Sequence, residues 1–178
     1  RIEPLVCGLE KTLNSQKEFS LDYEPDLERT YLTIVQAIRD YFNKNGFKRA
    51  VLGLSGGLDS SCCAALLSFA LGAKNVVGVS MPSKITSSQS KNDARELAQN
   101  LGINFFEIPI KDMTDASSNT FNSIFDKVNS VWGDFRYKAP LTFDNIQARS
   151  RAMILWGISN EFSLTLPIAT SDKSELYM

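Results

Sequence analysis

Short apolar runs alternate with longer amphipathic segments over most of the chain. Four runs rich in apolar and β-branched residues are predicted as strands, at residues 49–54, 75–80, 104–109 and 163–169. Apolar residues three and four positions apart predict helices between them, at residues 59–71, from the hydroxyl-rich loop 83–90 to about residue 101, and at residues 112–132 and 142–162. Continuous apolar strands separated by amphipathic helices are typical of a parallel sheet covered on both faces. We therefore predict an α/β fold, a three-layer α/β/α arrangement with a doubly wound sheet.

The two ends of the chain depart from this alternation. Pro25 begins a strongly amphipathic helix that ends before Gly46, whereas residues 1–24 are polar and weakly patterned. We interpret residues 1–24 as a connector from an upstream domain and residues 25–178 as one domain, and the initial Arg suggests a piece of a longer polypeptide. Pro167 lacks an N–H group, which predicts that the fourth strand lies at a sheet edge or ends irregularly.

Composition narrows the class of protein. The 178 residues are 43% hydrophobic and 22% charged, which is typical of a soluble globular protein. The net charge of −1 provides no electrostatic footprint for nucleic acid or a membrane surface. The longest largely apolar run, residues 62–73, is short of the roughly 20 residues that a membrane span needs. We predict a cytoplasmic protein with no nucleic-acid or membrane partner.

Cysteine and histidine usage restricts the chemistry. The three cysteines have no CxxC spacing, which argues against a disulfide framework or a zinc site. The chain contains no histidine, which excludes Ser-His-Asp and Cys-His catalysis within it. Any catalysis by this chain must therefore use carboxylates, backbone dipoles, Lys or Arg, and a hard cation.

The most informative stretch is residues 51–61, Val-Leu-Gly-Leu-Ser-Gly-Gly-Leu-Asp-Ser-Ser, which predicts a strand, a tight turn and a helix. Gly56 and Gly57 allow positive φ and close approach of a ligand, and we place the Gly57 N–H towards that ligand with no room for a side chain. The N–H groups that open the helix, together with its dipole, predict an anion site. Serine hydroxyls add donors, and the Asp59 carboxylate would repel a bound phosphate unless a cation lay between them.

The turn does not match two common phosphate loops. It lacks the Gly-Lys-Ser/Thr of a Walker A loop and the third glycine of the dinucleotide fingerprint. Its Ser-Gly-Gly-x-Asp-Ser sequence instead resembles the pyrophosphate-loop ATPases, which cleave ATP between the α and β phosphates. The resemblance implies ATP-binding residues in and around the turn: Gly53, Leu54, Ser55, Gly56, Gly57, Leu58, Asp59 and Ser60. An ordinary tight turn with nothing bound is the alternative.

A second motif lies at residues 145–151, Asn-Ile-Gln-Ala-Arg-Ser-Arg. On a helix, Asn145 and Arg149 are i,i+4 neighbours, so the amide and the guanidinium project together. Together with the glycine turn, this motif resembles the NAD synthetases, in which an Asn-x-x-Ala-Arg-x-Arg helix helps to bind the nicotinate dinucleotide. The resemblance implies that Asn145 and Arg149 bind this substrate, and the alternative is a solvated polar helix face.

Two further stretches are similar to that family. Residues 170–175 resemble its Thr-Gly-Asn-Lys-Ser-Glu sequence, which implies that Thr170 contacts ATP and that Glu175 contacts substrate and ligates Mg²⁺ together with Asp59, both carboxylates being catalytic. Ser171 and Asp172 stand where the family usually has Gly and Asn. Lys84 stands where the family more often has an Arg near the adenine, and the alternative for it is a solvated loop lysine.

The resemblance implies an adenine nucleotide α-hydrolase-like domain from a glutamine-dependent NAD synthetase. In that family ATP adenylates the nicotinate carboxylate of deamido-NAD and releases pyrophosphate, and ammonia then displaces AMP. It also implies a glutaminase domain before residue 1, a further part of the synthetase domain after residue 178, glutamine or ammonia as nitrogen donor, and a homodimer or higher homo-oligomer. The alternatives are another ligase with the same turn, such as GMP synthetase or asparagine synthetase, and a nucleotide-binding fragment without turnover.

Overall fold

The computed structural model of the chain describes residues 26–133 and 141–171. The predicted connector, residues 134–140 and residues 172–178, including Glu175, lie outside the described residues. Contacts divide the chain into residues 1–31 and residues 32–178. The described part of the first unit opens a helix, where the Asp26 carboxylate accepts a hydrogen bond of 3.1 Å from the Glu28 N–H, as an N-cap does.

The helices and strands alternate as the apolar pattern predicts. The described elements are α1 (Leu27–Asn45), β1 (Arg49–Gly53), α2 (Leu58–Leu71), a 3₁₀ turn (Ala73–Asn75), β2 (Val76–Ser80), α3 (Ser88–Leu101), β3 (Asn104–Glu107), α4 (Lys111–Trp132), α5 (Leu141–Glu161) and β4 (Thr165–Ile168). β3 ends at Glu107, two residues earlier than predicted, although the Ile108 N–H still donates to the Ser80 carbonyl of β2 at 2.8 Å. Thr170 and Ser171, the last described residues, follow β4 without regular secondary structure.

The described strands form one parallel sheet in the order β3-β2-β1-β4. The chain proceeds from β1 outward through β2 to β3 and then returns to the other side of β1 with β4. The direction in which successive strands are added to the sheet therefore reverses between β1 and β4, as in doubly wound folds. β4 lies at an edge, with Pro167 aligned with Val51 of β1, which confirms the prediction from the proline.

Helices cover both faces of the sheet, because successive strand residues point to opposite sides. Ala50, Leu52 and Leu54 are buried in the core shared with α1, α2 and α3. Val51 points the other way, into a smaller core closed by apolar residues of α5, while α4 packs against α5. The three-layer α/β/α prediction is thus confirmed.

The polar loop after β2 leads into α3 as its hydroxyls predict. Ser87 is the N-cap of α3, and its Oγ accepts a hydrogen bond of 3.1 Å from the Ser90 N–H. Gly102 ends the same helix with a φ of 67°, a left-handed conformation that glycine adopts without a side-chain penalty. These caps fix the start of α3 beside the turn after β1.

Candidate functional site

A cavity of about 530 Å³ opens where the carboxyl ends of β1, β2 and β4 meet. Its walls come from residues 53–55, 79–82 and 167–171, and α5 closes it from the side. The α5 contribution consists of Ala148, Arg151, Ala152, Leu155 and Trp156. The walls are largely apolar, and the cavity lies at the point where the strand order reverses. That is the position at which open α/β sheets bind ligands.

A second, polar cavity of about 490 Å³ adjoins the first. Hydroxyl groups dominate its lining, which consists of Ser55, Ser83, Ile85, Thr86, Ser87, Ser90, Asp144, Gln147 and Arg151. Ser55, Thr86 and Arg151 line both cavities. The site therefore has an apolar compartment and a polar compartment that meet at these three side chains.

The glycine turn between β1 and α2 lies beside the polar cavity. Gly56 has a φ of +82°, and a Cβ at this position would collide with the backbone oxygen of Ser90 in the first turn of α3. Gly57 has a φ of −85°, and a Cβ there would meet only the Ser55 Oγ, at 3.2 Å. The closest backbone approach therefore falls at Gly56, and the expectation that a bound ligand leaves no room for a side chain at Gly57 stays a prediction.

Serine hydroxyls hold the turn in shape. The Gly57 N–H donates to the Ser55 Oγ at 3.1 Å, so it does not point outward as expected. The Ser60 hydroxyl is buried, donates to the Gly57 carbonyl at 3.1 Å and lies 3.1 Å from the Ser55 Oγ. Ser61 donates to the same carbonyl at 2.7 Å. These hydroxyls stabilise the backbone that an anion would contact.

The start of α2 itself remains open. Its N-cap residue, Gly57, has no side chain to accept from the first N–H groups of the helix. Asp59 is exposed in this first turn. Among the described residues, no group of three or more His, Cys, Asp and Glu side chains comes together, and Glu175 lies outside them. The Mg²⁺ site predicted from Asp59 and Glu175 therefore stays a prediction.

The structure places the predicted ATP-binding residues in two groups, one lining the apolar cavity and one in the adjoining glycine turn. Gly53, Leu54, Ser55 and Thr170 line the apolar cavity, so two stretches more than 100 residues apart in the chain meet there. Gly56 and Gly57 form the adjoining turn, followed by Leu58 and the exposed first turn of α2.

Lys84 does not line either cavity. Its Nζ lies 3.1 Å from Asp115 Oδ1 near the start of α4, and the other carboxylate oxygen accepts from Lys111 Nζ at 2.8 Å. The hydrogen bond from Lys111, and then that from Lys84, hold the pKa of the Asp115 carboxyl below its usual range. The hydrogen bond to Asp115 likewise raises the pKa of Lys111.

Asn145 and Arg149 form the i,i+4 pair that their spacing predicts. Arg149 Nη1 donates to Asn145 Oδ1 at 2.8 Å. Both side chains are exposed on α5, and neither lines the two cavities. Their predicted contact with the dinucleotide therefore requires a substrate that extends beyond the cavities.

The structure adds one residue that the sequence analysis did not select. Arg151, the last residue of the Asn-x-x-Ala-Arg-x-Arg motif, is half-buried between the cavities, and its Nε donates to the Met81 carbonyl at 3.2 Å. Burial lowers the pKa of its guanidinium, which still remains charged in proteins. Its position in the motif could have identified it from the sequence. Arg151 follows Arg149 by two residues, which on a helix places it on the opposite side, towards the sheet.

The fold and the turn define an adenine nucleotide α-hydrolase-like α/β protein. The family model described as NAD synthase matches residues 30–178. The chain therefore belongs to the NAD synthase family, which confirms the resemblance found in its motifs and does not support the GMP synthetase and asparagine synthetase alternatives.

Individual relatives agree with this assignment. The chain is 47% identical to a glutamine-dependent NAD(+) synthetase of Aquifex aeolicus over 83% of its own length and 24% of the relative's. It is 35% identical to an NH(3)-dependent NAD(+) synthetase of Fusobacterium nucleatum, covering 86% of this chain and 54% of that protein. The chain thus spans about a quarter of the length of the glutamine-dependent relatives it matches first.

Solved structures show the same fold. A glutamine-dependent NAD+ synthetase of Acinetobacter baumannii in complex with ADP superposes with a TM-score of 0.70 at 37% identity, covering 83% of this chain and 26% of that one. An NMN synthetase of Francisella tularensis superposes with a TM-score of 0.72 at 25% identity, covering 88% of this chain and 58% of that one.

Proposed function

We propose that the protein containing this chain amidates deamido-NAD to NAD, using ATP and nitrogen from ammonia or glutamine. The observation that carries the proposal is the Ser-Gly-Gly-x-Asp-Ser turn at the reversal point of the sheet, in a chain of the NAD synthase family. The open N-terminus of α2 suits a polyanion, and the apolar cavity beside it suits a nucleoside. The nucleotide in the Acinetobacter baumannii relative is ADP, which is consistent with an adenine nucleotide here.

In this proposal the chain binds and orients two polyanions. The turn from Ser55 to Ser60 and the N–H groups of α2 hold the phosphates that leave as pyrophosphate, while residues 53–54 and Thr170 contact the nucleoside side. Asn145 and Arg149 bind the dinucleotide at the rim. The nicotinate carboxylate forms a bond to the α-phosphorus as pyrophosphate leaves, and ammonia then attacks the activated carbonyl carbon as AMP leaves.

Magnesium is the expected cofactor, held by Asp59 and Glu175. Asp59 fits this role because its carboxylate is exposed in the first turn of α2, where phosphates also bind. When bound, the ion supplies charge neutralisation between the triphosphate and the carboxylates. The proposed domain organisation, with a connector at residues 1–24 after a glutaminase domain, the cytoplasmic location and a homodimer complete the proposal.

The first test is Asp59→Asn in the full-length protein. We expect pyrophosphate release from ATP and deamido-NAD to fall by at least about 100-fold, because one ligand of the cation and its charge are lost, while the melting temperature stays near that of the parent. Asp40→Asn is the matched control, since Asp40 is exposed on α1, outside both cavities, and accepts a hydrogen bond of 2.9 Å from Gln36 Nε2. Release by Asp59→Asn at the parent rate with saturating Mg²⁺ would remove Asp59 from the site.

The substrate and the nitrogen donor are tested by the same assay. Deamido-NAD should support faster release than nicotinate mononucleotide, the comparison suggested by the Francisella tularensis NMN synthetase. Ammonium should replace glutamine as donor. If ATP binds but pyrophosphate is released under none of these conditions, the alternative of a nucleotide-binding fragment without turnover is favoured.

A further inference from the structure

Arg151 lies where the two compartments of the site meet. It lines both cavities, and among the described residues that line the apolar cavity it is the only charged side chain. Its Nε is fixed on the Met81 carbonyl at 3.2 Å, which positions the guanidinium from the end of β2. The other lining residues shared by the two cavities, Ser55 and Thr86, are neutral.

The charge of Arg151 is not balanced within the described part of the chain. Asp144 also lines the polar cavity, but the ion pairs found among the described residues do not include Arg151. A half-buried cation without a counterion is costly, and burial accordingly lowers the pKa of this guanidinium. An anion bound between the two cavities would offset that cost.

Given the proposed function, the two cavities specify which anion is bound. The nucleoside occupies the apolar compartment, and the departing pyrophosphate occupies the glycine turn beside the polar one. The group that joins these two parts of ATP is the α-phosphate, the centre at which bonds form and break. We infer that the terminal nitrogens of Arg151, free of the bond to Met81, bind the α-phosphate of the adenine nucleotide.

Arginine suits this position because its fork can donate two parallel hydrogen bonds to one phosphate while its Nε keeps the backbone contact. The bond to Met81 limits the motion of the side chain, so less freedom is lost on binding. Arg149 cannot substitute for it, because its Nη1 is engaged with Asn145 and it lies outside both cavities.

The test compares AMP with adenosine, which differ only by this phosphate. Calorimetric titration of the full-length protein should show that the parent prefers AMP, and that Arg151→Gln loses about 10- to 100-fold in AMP affinity. Adenosine affinity should change by less than about twofold, because Gln retains a donor for the Met81 carbonyl. Arg151→Lys should lie between the two, since it keeps the charge and loses the fork.

Arg39→Gln is the matched control. Arg39 also donates its Nε to a backbone carbonyl, that of Ala70 at 3.0 Å, but it lies on α1 outside both cavities. Arg39 Nη2 also donates to the Phe69 carbonyl at 2.9 Å, so Arg39→Gln should lose at least as much backbone tethering as Arg151→Gln without affecting AMP affinity. If Arg39→Gln and Arg151→Gln lose similar stability but only Arg151→Gln loses AMP affinity, that affinity loss reports phosphate binding and not the lost backbone hydrogen bond.

Three results would overturn the inference. An equal loss of AMP and adenosine affinity would mean that Arg151 only shapes the cavity, and the absence of an AMP preference in the parent would mean that no phosphate is bound there. Weaker binding of deamido-NAD with unchanged AMP affinity would assign the guanidinium to the dinucleotide instead. AMP binding needs no amidation, so an AMP preference without pyrophosphate release would contradict the proposed function alone.

Discussion

Gly56 controls the geometry of the turn through a single missing Cβ. Gly56→Ala should destabilise the protein by more than about 2 kcal/mol, because it combines the left-handed penalty of about 1–2 kcal/mol with a collision against the Ser90 backbone. Nucleotide affinity should fall as the turn moves away from α3. Urea unfolding and calorimetric titration of ATP measure the two effects.

Two glycine variants serve as controls for this prediction. Gly46 has a φ of +77° and no atom within 4 Å of a built Cβ, so Gly46→Ala isolates the conformational penalty. Gly57 has a negative φ, so Gly57→Ala should cost less than either. Equal losses for Gly56→Ala and Gly46→Ala would show that contact with Ser90 does not constrain the turn.

At the scale of elements, β2 packs closely against the end of β1. A Cβ on Gly78 would collide with Leu54 Cδ1 and would lie 3.0 Å from Leu54 Cγ and 3.5 Å from Ile103 Cδ1, both residues being in the buried core. Gly78→Ala should therefore cost about 1–3 kcal/mol through overpacking. The measurement is urea unfolding of Gly78→Ala, Leu54→Val and the double variant. We expect the double variant to lose less than the sum of the single losses, and additive losses would contradict the proposed contact.

The loop after β2 is joined to α4 by the lysine pair on Asp115. Because both lysines depress the pKa of this carboxyl, its contribution to stability is present above the ordinary pKa of about 3.9 and is lost as the pH falls through the lower folded value. The pKa of Lys111 is raised. Its contribution to the stability of the fold is therefore present below its ordinary pKa of about 10.4 and is lost as the pH rises through its raised pKa in the folded state. The ion pairs should therefore stabilise the fold from about pH 5 to 10.

An NMR titration of the Asp115 carboxyl carbon tests this pair directly. The midpoint should lie below about 3.9, and it should rise in Lys111→Ala more than in Lys84→Ala, because Lys111 provides the larger effect. Raising the salt concentration should reduce all of these differences, since the groups are solvent-accessible. A midpoint unaffected by either variant would mean that the pair does not persist in solution.

At the scale of the whole molecule, α5 carries exposed apolar residues that bear on the proposed homodimer. Met153 is 64% exposed on this helix, which also carries the hydrogen-bonded pair Asn145 and Arg149. If this face forms the proposed homodimer interface, Met153→Glu should shift the protein towards monomer by placing a charge there. Leu32→Glu, at an exposed position of α1, is the control. Sedimentation equilibrium that shows the same association for parent and Met153→Glu would exclude this face.

The apolar pattern by itself determined the layered architecture. Continuous apolar runs such as Val76–Ser80 predicted buried parallel strands. Hydroxyl and glycine residues predicted helix ends, such as those at Ser87 and Gly102. The motifs also indicated the family, because the Asn-x-x-Ala-Arg-x-Arg sequence accompanies the Ser-Gly-Gly-x-Asp-Ser turn, and the family model confirms this resemblance. Pro167, which has no N–H to donate, predicted that β4 lies at an edge or ends irregularly, and β4 lies at the edge of the described sheet.

Only the tertiary structure decided how distant stretches combine. That Gly56 rather than Gly57 has the close contact depends on Ser90, which comes from another helix. The position of Arg151 between the cavities depends on α5 crossing the end of β2, and Lys84 is directed to Asp115 by the start of α4. Local propensities act over a few residues, whereas these contacts join segments that chain folding brings together across 31 to 70 positions.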